Sequence, residues 1–279
     1  MLEKLGLGTV QFGQAYGVSN QRGQVPKDEA AAILSRAANA GIGLLDTAAN
    51  YGEAEAVLAA LNTSRFRIVT KTINLSYGLD RVIARARQSA QTIRADTLLV
   101  HAVADLKGAE GRALWAALRQ LKNEGVFRKI GISAYVADDP VALAQRFHPD
   151  VMQLPFSLLD QRLLANGALA QLRDLGVEVH ARSLFLQGLL FMENLPAKLR
   201  SATPHLAHIR EVLQKADLPP LSAALGFVLA QPEIAFGLVG VTSEKELDEI
   251  IAAVRQPLPT LDWASFALHD ELVLTPSLW

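Results

Sequence analysis

The feature that most constrains this chain is an alternation. Short apolar runs of β type are followed by longer runs of helical spacing, eight times over. The β-type runs fall at residues 5–10, 43–47, 66–70, 97–101, 128–133, 151–154, 177–183 and 235–241. The helical runs fall at 26–40, 53–61, 79–93, 111–124, 140–146, 163–175 and 243–254, with two stretches, 206–215 and 222–230, between the last two strands. Pro26 ahead of Lys27, Asp28 and Glu29 is a good helix start, and Gly41 is a natural stop. Strands buried on both faces read as continuous apolar runs, as Leu98-Leu99-Val100 does. Eight such units in roughly 250 residues predict an α/β fold: a single (β/α)8 TIM barrel over 1–279, with an extra helix before strand 8 and a C-terminal tail. A doubly wound open sheet is the alternative. Gly6 and Gly8 begin its glycine signature, but Phe12 stands where the third glycine belongs and a long loop follows.

Composition narrows the function classes. The chain has 279 residues, 27 Lys and Arg against 28 Asp and Glu, and a formal net charge of −1. Near-neutrality argues against a nucleic-acid partner, which needs a basic face. The absence of cysteine excludes disulfides, thiolate metal sites and thiol nucleophiles. Pro219, Pro220, Gln231, Pro232 and Glu233 interrupt the most apolar stretch, so no membrane partner is expected. The start of the chain lacks a secretory pattern, and a cytoplasmic protein is expected.

Barrel enzymes place their chemistry at the C-terminal ends of the strands. There the sequence sets Asp46, Asn50 and Tyr51 after strand 2, Lys71 after strand 3 and His101 after strand 4. Ser133, Gln153, Arg182 with Ser183, and Thr242 with Ser243 follow on strands 5 to 8. Singly, each has an ordinary reading: a turn aspartate, a packing tyrosine, a solvated lysine, a core histidine. Together Asp46, Tyr51, Lys71 and His101 point to proton transfer. An ammonium beside a phenol favours the phenolate, a carboxylate holds the ammonium, and a histidine can polarise a carbonyl. No side chain supplies a hydride, so a nicotinamide cofactor would be required.

These residues lie within segments that resemble the aldo-keto reductase superfamily. The matching segments are LGLGTVQFG at the start, LLDTAANYG (44–52), IVTK (68–71), LLVHA (98–102), GISAY (131–135), MQLPFSLLD (152–160), ARSLFLQGLL (181–190) and LVGVTSEKELDEI (238–250). The resemblance implies an NAD(P)H-dependent oxidoreductase that interconverts a small aldehyde, ketone or aldose and its alcohol. It makes Tyr51 the general acid/base, tuned by Asp46 and Lys71, with His101 orienting the carbonyl. It implies that Ser133 and Gln153 hold the nicotinamide carboxamide, with Thr9, Val10 and Asp46 at the same end. It sets Arg182, Ser183, Leu184, Leu186, Gln187 and Gly188 along the rest of the cofactor. Val241, Thr242, Ser243 and Glu249 belong to the last strand end and helix, whose N-terminus suits an anion.

Three positions depart from the family's habit. Ala134 replaces an Asn that bonds the carboxamide. Arg182 replaces an aromatic, and its guanidinium is suited either to stack on nicotinamide or to bind an anionic substrate group. The last helix opens with Glu244 and Glu246 where NADP-dependent members present Arg or Lys; family habit favours NADP(H), these acids weaken that, and relaxed or NAD(H)-leaning selectivity is expected. Aromatic candidates for the substrate pocket are Phe12, Tyr16, Tyr51, Phe156, Phe185, Trp263 and Trp279, with the 13–23 loop as a lid. Two other classes stay open: a cofactor-binding regulatory subunit resembling channel β subunits, and a hydrolase or aldolase using Lys71 as an amine nucleophile.

Overall fold

The computed structural model of the protein describes residues 1–17, 20–192 and 194–279. Eight parallel strands close into a barrel in sequence order: β1 (Leu5–Gly8), β2 (Leu44–Asp46), β3 (Arg67–Lys71), β4 (Thr97–Val100), β5 (Lys129–Ser133), β6 (Val151–Pro155), β7 (Glu178–Arg182) and β8 (Ile234–Gly240). β8 pairs back onto β1, with Leu5 opposite Gly237, and closes the ring. The helices are α1 (Val10–Gly13), α2 (Lys27–Ala40), α3 (Ala54–Ala59), α4 (Leu79–Ile93), α5 (Gly108–Asn123), α6 (Pro140–Phe147), α7 (Arg162–Ala165), α8 (Ala168–Asp174), α9 (Thr203–Lys215), α10 (Pro220–Ala230), α11 (Glu244–Val254) and α12 (Glu271–Leu274).

The predicted barrel is what forms, with local differences that have physical causes. The first strand ends at Gly8, and residues 10–13 turn into α1 instead of extending it. The helix expected over 163–175 is two, because Asn166-Gly167 breaks it and Gly167 adopts φ +74°. Gly41 stops α2 as expected, in the left-handed region at φ +86°. Residues 18 and 19 of the loop expected to act as a lid lie outside the described residues.

Successive residues of a strand face opposite ways, so each strand feeds two cores. Outward-facing Leu45, Ile68, Leu98, Ile132, Met152 and Val179 pack against the helices in the main core. The other face of the strands fills the barrel in three layers. At the base, Glu178 pairs with Lys129 and His180 and lies 3.7 Å from Arg67, whose guanidinium rests on Phe236. Above it lies an apolar band of Leu44, Val69, Leu99, Val151 and Leu238. Asp46, Lys71 and Gln153 form the top layer. Each follows a band residue by two positions, so alternation carries them to the rim.

In the basal layer, burial works against the Glu178 carboxylate, but its bonds from His180 and Lys129 outweigh that and hold it down at about 2. Its stabilising effect is therefore present above the ordinary carboxylate range and lost as pH falls from about 5 towards 2. Glu178→Gln should destabilise the protein by on the order of 2 kcal/mol at pH 7, less than for a fully buried pair because Glu178 keeps some solvent access. Denaturant unfolding should show this difference shrinking at low pH. A difference independent of pH would contradict the assignment.

Candidate active site

The rim is organised around Lys71, which is 2% exposed. Its Nζ donates to both Asp46 carboxylate oxygens at 2.8 and 2.7 Å, to the Thr47 carbonyl at 2.9 Å, and to the Tyr51 hydroxyl at 3.3 Å. Burial pulls the ammonium down, but the Asp46 carboxylate and the Tyr51 hydroxyl together more than offset this and raise it above the ordinary lysine value. Lys71 is therefore a fixed positive charge. Asp46 accepts a further bond from Gln153 Nε2 at 2.7 Å, so its charge is held on two sides. Thr9 ties the strand ends together by donating its hydroxyl to the Asp46 carbonyl at 3.0 Å.

Tyr51 is placed by backbone contact. A Cβ at Gly13 would lie 1.8 Å from the Tyr51 carbonyl oxygen, and one at Gly52 would lie 2.2 Å from the Gly13 carbonyl. Gly52 also takes φ +53°. Only two glycines let α1 and the Tyr51 turn meet this closely, and the meeting sets the phenol over Lys71. His101 completes the group, its ring edge-on to Tyr51 with centroids 5.9 Å apart. Burial, with the nearby positive charges of Lys71 and Arg182, lowers its imidazole to about 4. It is neutral at pH 7, able to donate one hydrogen bond without bringing a charge.

A cavity of about 670 Å³ opens over this group. Asp46, Tyr51, Lys71 and His101 line it, as do Val10, Ser133, Gln153, Arg182, Ser183, Leu184, Gln187, Gly188 and Thr242. Thr9, Leu186, Val241 and Ser243 are buried beside it without forming its wall. Glu249 lies further along α11, 4.0 Å from Lys245, and is not part of the wall. Among the aromatic candidates, Tyr16, Tyr51 and Phe185 line the cavity, while Phe12 and Phe156 are fully buried in the core. Trp263 and Trp279 pack against the core away from the cavity. Among the described residues, none of the tail lines the cavity. Its Leu268 N–H donates to Leu159 in the loop after β6, and the Trp263 carbonyl accepts from Gln161.

Sequence reading did not single out Gln11, Glu29, Arg22, Tyr135 or Phe191 for the site. Tyr135 follows β5 directly, so the strand-end rule could have found it. Gln11 Oε1 is buried at the cavity wall with no hydrogen-bond partner among the described residues, an acceptor suited to a ligand amide. The loop after β7 holds Ser183, Leu186 and Gln187 at positive φ, each costing about 1 kcal/mol or more for a residue with a side chain. The start of α11 is filled by carboxylates. Ser243 Oγ caps the helix by accepting from the Glu246 N–H at 3.2 Å. Glu246 accepts from the Thr242 N–H at 2.6 Å and its hydroxyl at 2.9 Å. Glu29, from α2, accepts from the Glu244 N–H at 2.8 Å.

Residues 4–271 match the model of the aldo/keto reductase family, so the chain belongs to that family and is an NAD(P)-dependent oxidoreductase. It is 28% identical to L-galactose dehydrogenase of Arabidopsis thaliana, over 98% of this chain and 90% of that protein. It is 28% identical to the NADH-specific methylglyoxal reductase of Escherichia coli (strain K12), over 53% of this chain and 50% of that one. In fold it is similar to the holo form of an aldo-keto reductase from Bacillus halodurans, with a TM-score of 0.72 and 20% identity over 99% of this chain and 93% of that one. Among the described residues no helix is long and apolar enough to cross a membrane.

A neutral His101 is the most exposed electrostatic statement of this geometry. Its imidazole resonances in an NMR titration should stay unchanged from pH 8 to about 5 and move only near 4. Because that value lies below the unfolded histidine value of about 6.5, the unfolded chain takes up this proton first, and stability should fall as pH drops from about 6.5 towards about 4. A midpoint near 6.5 would show that the group is solvated and the rim looser than described.

Proposed function

We propose that this protein interconverts a small aldehyde or ketone, including an open-chain sugar, and its alcohol, with NAD(H) favoured over NADP(H). The observation that carries the reading is the Tyr51 hydroxyl held 3.3 Å from the charged Nζ of Lys71 beside the neutral His101 ring. In reduction, Tyr51 delivers its proton to the carbonyl oxygen as negative charge grows there. Lys71 stabilises the phenolate left behind, and Asp46 keeps Lys71 charged and oriented. His101 donates a hydrogen bond to the same oxygen and fixes the carbonyl. In oxidation the same groups act in reverse, with Tyr51 taking the alcohol proton.

A nicotinamide cofactor supplies or accepts the hydride when bound. The residues suited to hold it are Ser133 and Gln153 on strands β5 and β6, Gln11 with its unpartnered oxygen, Gln187 and Gly188 after β7, and Thr242 before α11. The preference for NAD(H) rests on the carboxylates at the start of α11. Glu29 and Glu246 already occupy the backbone donors of Glu244 and Thr242 that a 2′-phosphate would seek, and both would repel it. Similarity to an NADH-specific methylglyoxal reductase supports this choice, and L-galactose dehydrogenase supports a sugar-like substrate.

The test pairs binding with turnover. Fluorescence titration should give a Kd for NADH at least about tenfold lower than for NADPH, since one repulsive contact of this kind is worth about 1.4 kcal/mol or more. Tyr51→Phe should lower reduction of methylglyoxal and glyceraldehyde by a factor of about 10² to 10⁴ while leaving the NADH Kd within about threefold. Tighter NADPH binding would overturn the cofactor preference. Retained turnover in Tyr51→Phe would overturn the acid.

A further inference from the structure

The charges of the cavity do not balance locally. Asp46 is matched by Lys71, and Glu246 is bound to Thr242. Arg182 and Arg22 also line the cavity, and among the described residues neither has a carboxylate within ion-pair distance. Arg182 is nonetheless firmly held. Its guanidinium carbon lies 4.4 Å from the Tyr135 ring centroid, Nη2 donates to the Ala134 carbonyl at 3.1 Å, and Nη1 reaches Ser183 Oγ at 3.5 Å. A guanidinium has five N–H donors, so most of its donors stay uncommitted. Its seat over the Tyr135 ring, with these two hydrogen bonds, lowers the entropy cost of ordering the arginine for a ligand.

Arg182 also belongs to the reactive end of the cavity. It ends β7 and lines the same cavity as Tyr16, Tyr51 and His101, and its charge helps to keep the His101 imidazole neutral. Burial raises the Tyr16 phenol, so its hydroxyl stays a donor. A substrate whose carbonyl lies between Tyr51 and His101 therefore extends towards a preorganised cation with a phenol beside it. Neutral aldehydes leave that cation unused.

From this we infer that the preferred substrates carry an anionic group, a carboxylate or a phosphate, a few bonds from the reacting carbonyl, and that Arg182 is the residue that recognises it. The inference deepens the carbonyl-reductase reading and rests on it. The reaction is unchanged: hydride adds to the carbonyl carbon, the Tyr51 proton goes to its oxygen, and the anionic group takes no part. A planar, doubly hydrogen-bonding guanidinium suits either oxyanion, and length and charge of the substrate then separate the two sources.

Two matched pairs test this: 4-oxobutanoate against butanal, and glyceraldehyde 3-phosphate against glyceraldehyde. The wild-type protein should show kcat/KM roughly 30-fold higher for at least one anionic member than for its neutral partner, mainly through KM. In Arg182→Gln that ratio should fall to about one, and in Arg182→Lys it should be partly kept. The pair that responds tells carboxylate from phosphate. Calorimetry with inorganic phosphate and with succinate gives a readout independent of turnover: one of them should bind the wild type and not Arg182→Gln. Equal kcat/KM within both pairs, or an unchanged ratio in Arg182→Gln, would overturn the inference while leaving carbonyl reduction intact. So would a loss of NADH affinity in Arg182→Gln with the ratio unchanged, which would make Arg182 a bed for the nicotinamide. If no aldehyde is turned over at all, the carbonyl-reductase reading falls. The anion site is then decided by calorimetry alone, and absence of binding in the wild type rejects it.

Discussion

Everything at the mouth of this barrel depends on one buried ion pair. An ammonium 2% exposed to solvent is costly to bury alone, and Lys71 is tolerated because both oxygens of Asp46 and the Thr47 carbonyl surround it. Such a pair is weak evidence for stability, because its desolvation cost rivals its attraction. Its use is positional. It fixes a positive charge beside the Tyr51 hydroxyl, and burial, helped by that charge, keeps the neighbouring His101 uncharged. A proton donor and a neutral hydrogen-bond donor thus face the same space, which is what reduction of a carbonyl asks of a protein.

The barrel makes this arrangement by alternation. In β3, Arg67, Val69 and Lys71 point inward at base, band and rim; on β7, Glu178 and His180 belong to the base and Arg182 to the rim. Two charged layers are thereby separated by an apolar one. The basal cluster around Glu178 is shared among Arg67, Lys129 and His180, while the rim keeps Arg182 without a counter-ion among the described residues. The same inward-facing register thus serves packing at one end and recognition at the other.

Much of this was legible in the sequence because it is periodic or local. Eight apolar runs gave the strand count, and strand-end positions gave Asp46, Lys71 and His101 without any contact information. Pro26 and Gly41 marked the ends of α2 to within a residue. The split of α7 from α8 was missed although Asn166-Gly167 announced it, since the flanking leucines continue the helical spacing. What the sequence hid is long-range. Glu29 reaches the N–H of Glu244 across 215 residues, and no pattern links them. Glu244 and Glu246 were read as repelling a phosphate, and the fold adds that Glu246 also occupies the donors of Thr242. The aromatic residues of the tail read as candidates for the mouth, but their apolar surface is spent on the core.

The proposed proton transfer requires Asp46 and Lys71 to act as one unit through Tyr51. Single-turnover rates of aldehyde reduction in Lys71→Met, Asp46→Asn and the double variant test it most directly. Each single change should slow the step by about 10² or more, and the double variant should be no slower than Lys71→Met, because the pair works only intact. Losses that multiply in the double variant, or a Lys71→Met protein that reacts at nearly the wild-type rate, would contradict it.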